Sequence, residues 1–135
     1  DKRNMSRNLL SLDKDDWGDV KVLSLKQDGV LIAHTTKETI LEVALASPLL
    51  PGKSTTLDMS FFVKVPAVVR RAGKNNADGV AFSMAQWYPK LCEYDDQGWH
   101  ANPYLGREFY GVWGDFDVTI NIDKNYTVAA SCCSY

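Results

Sequence analysis

The chain reads as an all-β protein, an antiparallel sheet or sandwich, and three observations carry that reading. Two segments alternate apolar and polar residues with the two-residue period of a half-buried strand: Leu57 to Val65, and Phe116 to Ile122. An Asp28-Gly29 pair stands between the apolar runs Val20 to Leu25 and Val30 to His34, a strong short-range signal for a hairpin. No segment longer than a turn or two has a helical period, Ser6 to Asp13 being a weak candidate.

In the first alternating segment Leu57, Met59, Phe61, Val63 and Val65 form the apolar face, and Phe62 is the exception on the wet one. In the second, Phe116, Val118, Ile120 and Ile122 oppose Asp115, Asp117, Thr119 and Asn121, so that strand buries one face only. After the Asp28-Gly29 hairpin, a polar turn at Thr35, Thr36, Lys37 and Glu38 leads to a further strand at Thr39 to Ala46. Pro48, Pro51 and Gly52 then interrupt the chain, since proline has no amide hydrogen for a ladder and glycine accepts turn geometry. A polar, basic loop with Arg70, Arg71 and Lys74 comes next, then a short strand from Gly79 to Gln86. The expected result is a meander of antiparallel strands.

At 135 residues the chain fits one domain, 1–135. It is 45% hydrophobic and 24% charged with a formal net charge of -2, a balance that disfavours an electrostatic grip on nucleic acid. The longest apolar runs, such as Val43 to Ala46, fall far short of the roughly 20 residues that a membrane-crossing helix needs. The first residues, DKRNMSRNLL, have no hydrophobic signal core.

Familiar catalytic motifs are absent: no H-E-x-x-H, no G-x-S-x-G, no phosphate-binding loop and no dinucleotide fingerprint. Cys92, Cys132 and Cys133 define no disulfide framework, and neither His34 nor His100 stands in a zinc-binding spacing. His100 and Cys92 make a catalytic dyad only if the fold brings them together. Glu93, Asp95 and Asp96, with Asp115 and Asp117, are carboxylates suited to a solvated turn, to calcium, or to acid and base work across a cleft.

The stretch from Phe82 to Val118 holds three of the four tryptophans and four of the six tyrosines. Trp87, Tyr88, Trp99, Tyr104, Tyr110 and Trp113 suit either a platform for sugar rings or a peptide, or anchors that pack a long loop against the sheet. A free-standing binding module that recognises carbohydrate or an extracellular partner through these rings is one function that the composition allows.

The run GVAFSMAQWYPKLCEYDDQGWHANPYLGREFYGVWGDFDVTINIDKNYTVAA resembles the N-terminal β-domain of aminopeptidase N-like zinc metallopeptidases, the gluzincin family, and is most similar to a bacterial branch. AQWYPK, a D-x-x-GW turn and E-F-Y-x-x-x-G-x-[FW]-D-V occur in that order, and the likeness covers about residues 50–130. The resemblance implies a saddle-like β-domain that packs on a catalytic domain and closes one wall of its substrate pocket. It also implies that Gln86, at a strand end in A-Q-W-Y-P, lines that pocket with Trp87 and Tyr88 beside it.

An amide can donate to a substrate carbonyl and accept from its ammonium; otherwise Gln86 simply satisfies backbone groups. The zinc ligands and general base of such enzymes lie in their catalytic domain, so this chain is expected to carry no cofactor and no catalytic residue of its own. The partners implied are that catalytic domain and, through it, a peptide substrate. The segment Ser131 to Tyr135 leaves the family pattern, and the chain reads as a fragment of the full domain with its early strands also missing. Family habit implies the periplasm or the cell surface.

Overall fold

A computed structural model describes residues 12–69, 72–76, 78–103 and 113–130. Among these the protein is all-β, with no α-helix and a single 3-10 turn at Lys14–Asp16. Its strands are β1 (Asp19–Gln27), β2 (Val30–Leu31), β3 (His34–Lys37), β4 (Ile40–Val43), β5 (Leu57–Lys64), β6 (Val68–Val69), β7 (Ala72–Lys74), β8 (Phe82–Ser83), β9 (Tyr94–Asp95) and β10 (Gly98–Trp99). They form small sheets in the orders β2-β1-β5, β3-β4, β6-β7-β8 and β9-β10, and every pairing is antiparallel.

The Asp28-Gly29 signal produces the expected hairpin. Gln27 pairs with Val30 across a two-residue turn in which Asp28 and Gly29 have φ of 48° and 84°, the left-handed pair that matches the twist of the flanking strands. Asp28 also anchors the chain just ahead of β5. Its carboxylate accepts from the Thr56 amide at 2.9 Å and the Thr55 hydroxyl at 2.8 Å, and these two bonds hold its pKa below the ordinary value.

β1 and β5 pair along their whole lengths, from Asp19 opposite Lys64 to Gln27 opposite Leu57. A register shift between Val22 and Ser24 marks a bulge, which exposes Leu23 and changes which alternate residues point inward. Before the bulge Val20 and Val22 line a cleft; after it Leu25 and Gln27 are buried. Leu25 and Ile32 are the buried apolar side chains among the described residues, and the Ile32 amide donates to the Leu25 carbonyl.

Buried Gln27 is satisfied at both ends of its amide. Nε2 donates to the Ser47 carbonyl at 2.9 Å and to Thr55 Oγ1 at 3.1 Å, and Oε1 accepts from the Ser47 amide at 3.1 Å. One side chain thus ties the Pro48 to Gly52 connection to the sheet, which offsets the cost of burying its own polar atoms.

Several boundaries differ from the sequence expectation. His34 to Lys37, expected as a turn through Thr35 to Glu38, is strand β3, and the turn lies at Glu38 and Thr39, where Glu38 takes φ 53°. Threonine suits a half-exposed strand, so a polar run concealed one. The basic loop contributes β6 and β7, and the Gly79 to Gln86 strand shrinks to β8 because Asn75 and Asn76 pair with Ala81 and Val80 across a tight turn. The largest correction concerns Phe116 to Ile122, which forms no ladder among the described residues and leaves Phe116 and Val118 more than half exposed. Alternation states which residues would share a face; it does not supply the neighbouring strand. Most of the Ser6 to Asp13 candidate lies outside the described residues.

Replacing Gln27 with alanine removes three hydrogen bonds and strands the Ser47 amide and carbonyl. A loss of about 1–3 kcal/mol is expected in chemical denaturation, with Gln27→Glu failing to rescue because the carboxylate cannot donate to the Ser47 carbonyl.

Candidate functional site

The start of β1, the end of β5, the β3-β4 hairpin and the segment 84–89 line a cleft of about 560 Å³. That volume is in the range of small-molecule or side-chain pockets. Its apolar wall includes Val20, Val22, Leu41 and Val63, while Asp19, Glu38 and Lys64 put both signs of charge in its lining. Gly18 stands at the same wall. A Cβ there would lie 3.2 Å from Pro66 Cδ and 3.3 Å from the Lys64 carbonyl, so the close approach of these two segments favours glycine.

Gln86, Trp87 and Tyr88 all line this cleft. The three are sequence neighbours, and Pro89, next in the chain, belongs to the lining as well. Gln86 is exposed and has φ 57°, a left-handed conformation that costs a non-glycine residue roughly 1–2 kcal/mol. Gln86 lies in a bend between the exposed Ala85 and the half-buried Tyr88. Strain of this kind clusters where geometry is dictated by something other than local preference.

The neighbouring rings form a connected row. Phe61 of β5 lies 6.3 Å from Trp87, Trp87 meets Tyr88 edge-on at 5.5 Å, and Tyr88 meets Phe116 at 6.1 Å, with Lys90 Nζ 5.5 Å from the Tyr88 ring. Such tilted contacts at 4.5–7 Å are the favourable geometry for ring pairs. The row fastens the cleft wall to β5 on one side and to the 113–130 segment on the other, where Phe82 also meets Tyr126 at 6.1 Å. Trp87 and Tyr88 therefore act both as wall and as anchor.

Trp99 lies elsewhere, on the β9-β10 hairpin, with its ring 4.8 Å from that of Tyr94 and both rings exposed. The acidic turn expected here is the tip of this hairpin. Asp95 Oδ1 accepts from the Gln97 amide at 2.8 Å and Oδ2 lies 2.7 Å from His100 Nε2. The His100 hydrogen bond is the main influence holding the Asp95 carboxyl below its ordinary value, and the Gln97 amide adds to it. His100 is thus engaged with Asp95, and Cys92 is half-buried and forms no disulfide among the described residues. Glu93 contributes its carbonyl, which accepts from the His100 amide at 2.9 Å.

Among the described residues no group of three or more His, Cys, Asp or Glu side chains is placed to hold a metal ion. Asp115 and Asp117 sit on the unpaired 113–130 segment, Trp113 there is fully exposed, and Tyr104 and Tyr110 lie outside the described residues. No helix among the described residues is long and apolar enough to cross a membrane. Comparison with family models, with curated proteins and with solved structures found no match.

Sequence reasoning did not join Val20, Val22, Leu41, Glu38 and Lys64 into one cleft lining, because they come together only through the pairing and bulge of β1 and through a β3-β4 hairpin whose turn lies at Glu38 and Thr39 rather than at Thr35 to Glu38. The local signal was the Asp95 to His100 spacing, which fits a two-residue hairpin with an imidazole returning to its acid.

The linkage at Asp95 has a definite sign. A carboxyl whose folded pKa is depressed stabilises the fold above its unfolded value, here 3.8, and loses that contribution as pH falls through the lowered folded value. A carbon-detected NMR titration of Asp95 is expected to give a midpoint below 3.8, and His100→Ala should move it back toward 3.8. An unchanged midpoint in that variant would assign the shift to the Gln97 amide alone.

Proposed function

We propose that this chain is a non-catalytic N-terminal β-domain of a zinc aminopeptidase-like metallopeptidase, packing on a separate catalytic domain and shaping its substrate pocket. The observation that carries this reading is that the stretch Gln86, Trp87 and Tyr88, which the family resemblance singles out, lines the 560 Å³ cleft. Gln86 offers an amide from a left-handed backbone position, and the apolar residues of the same lining suit a side chain rather than a phosphate or a polynucleotide.

Packing on another domain is supported by the apolar surface the described residues leave uncovered. Leu23, Leu31, Leu50, Phe62 and Trp99 are each more than half exposed, apolar side chains that a packed neighbouring domain would cover. In this reading zinc and the general base belong to the catalytic domain, and a peptide is the substrate of the assembled enzyme. The family relation also suggests a bacterial source and the periplasm or cell surface.

The test is to mix the chain with a zinc-bearing, thermolysin-like catalytic domain and follow hydrolysis of chromogenic aminoacyl substrates. The isolated chain is expected to show no turnover, and the mixture to associate and cleave. Gln86→Ala in the mixture should raise KM roughly tenfold or more with little change in kcat, the cost of losing one hydrogen bond to a charged amino group. Stoichiometric zinc with turnover in the chain alone would refute the reading.

A second reading is favoured by the β9-β10 hairpin, which projects the exposed rings of Tyr94 and Trp99 beside the Asp95 and His100 pair. Rings with adjacent hydrogen-bonding groups are what a carbohydrate-binding module presents. Binding on a glycan array that disappears with Trp99→Ala, the far-UV circular dichroism being unchanged, would establish it; an array with no binding removes it.

A further inference from the structure

We infer that β5 is a self-pairing edge, through which two copies of this chain join their three-stranded sheets into one six-stranded sheet. In the order β2-β1-β5 one side of β5 is fully paired with β1, and its other side carries no ladder among the described residues. An open edge of eight residues, with Phe62 54% exposed, is a template for another strand. β5 contains no proline, and its one potential guard is a pair of charges placed toward opposite ends, Asp58 and Lys64.

The arrangement of those charges selects the occupant. If β5 meets β5 of a second copy antiparallel about Phe61, Asp58 falls opposite Lys64, Met59 opposite Val63, and Ser60 opposite Phe62, with Phe61 on the two-fold axis. Like meets like on the apolar face, and the ion pair between Asp58 and Lys64 forms twice by symmetry.

Within each copy Lys64 already stands opposite Asp19, and Asp58 opposite Lys26. Pairing therefore continues a row of alternating charge across one face: Asp19, Lys64, then Asp58 and Lys26 of the second copy. The other exposed alternating segment lacks this match when paired with itself. The exposed segment 115–123 pairing with itself antiparallel about Thr119 sets Asp115 against Asp123, and in parallel register every aspartate stacks on its equivalent. A six-stranded sheet also has the common size for globular proteins, whereas three strands are near the lower limit for stability.

The test is a charge exchange read by sedimentation velocity and light scattering. The unaltered chain is expected to dimerise. Asp58→Lys and Lys64→Asp should each weaken the dimer about tenfold, since each places like charges opposite one another at both symmetric sites. The double variant should restore it.

Restoration separates the dimer contact from any role within one copy. In the double variant the contacts inside each copy remain unfavourable, because the lysine introduced at position 58 faces Lys26 and the aspartate introduced at position 64 faces Asp19. Only the contact between copies is repaired. A folded monomer at every concentration, single variants that dimerise undiminished, a folded double variant that stays monomeric, or open-ended aggregates in place of a dimer would each overturn the proposal. If the charge variants fail to fold, the probe is an equal mixture of Ser60→Cys and Phe62→Cys chains in which Cys92, Cys132 and Cys133 are replaced by serine. Opposed Cα atoms in an antiparallel pair are about 4.5–5.5 Å apart, within disulfide reach. A mixed disulfide supports the pairing and its absence overturns it.

Discussion

The ladder between β1 and β5 is the constraint on which the rest depends. It is the longest pairing among the described residues, and each end of it supports a different part of the fold. At its Asp19 end Val20, Val22 and Val63 supply the apolar floor of the cleft; at its Gln27 end the buried amide and Leu25 hold the Pro48 to Gly52 connection and the β2 side of the sheet. The bulge at Val22 and Ser24 divides these duties. Without it one face of β1 could not serve the cleft at one end and the buried cluster at the other, because alternate side chains would keep a single phase along all nine residues.

The cleft is held by few forces, and they are mainly apolar. The row Phe61, Trp87, Tyr88 and Phe116 joins β5 to the segment that carries Gln86 without any strand ladder between them. Ring contacts are worth about 0.5–1.5 kcal/mol each beyond the area they bury, comparable to a hydrogen bond in the same place. Surface ion pairs do less. Lys37 and Glu42 lie 2.8 Å apart across the β3-β4 hairpin, but both are solvent-exposed, so their pairing contributes a fraction of a kcal/mol. The hairpin contributes Thr36, Glu38, Thr39 and Leu41 to the cleft lining.

Much of this was legible from residues alone. The Asp28-Gly29 turn and the β5 alternation were correct nearly to the residue, because a two-residue turn and a two-residue period are local properties. Gln86, Trp87 and Tyr88 were placed together because they are sequence neighbours, and the resemblance named that neighbourhood. What failed to show was convergence. Nothing in Val20, Leu41 or Glu38 indicates a shared cavity until the bulge and the β3-β4 turn set their directions. The Phe116 to Ile122 segment failed in the opposite way, since its pattern is strand-like but its ladder partner is a property of the whole sheet.

That unpaired segment and the open edge of β5 have one physical origin. A sheet satisfies backbone groups only by adding neighbours, and the described residues provide β1 with two of them, one very short, and β5 with one. Exposed apolar residues accumulate at those places: Phe62 on β5, and Phe116, Val118 and Ile120 beyond it. A catalytic domain would cover apolar faces, whereas another strand is needed to satisfy an edge, so the two kinds of partner do not compete for the same atoms. Lys64 stands at both places, in the cleft lining and at the end of the β5 edge.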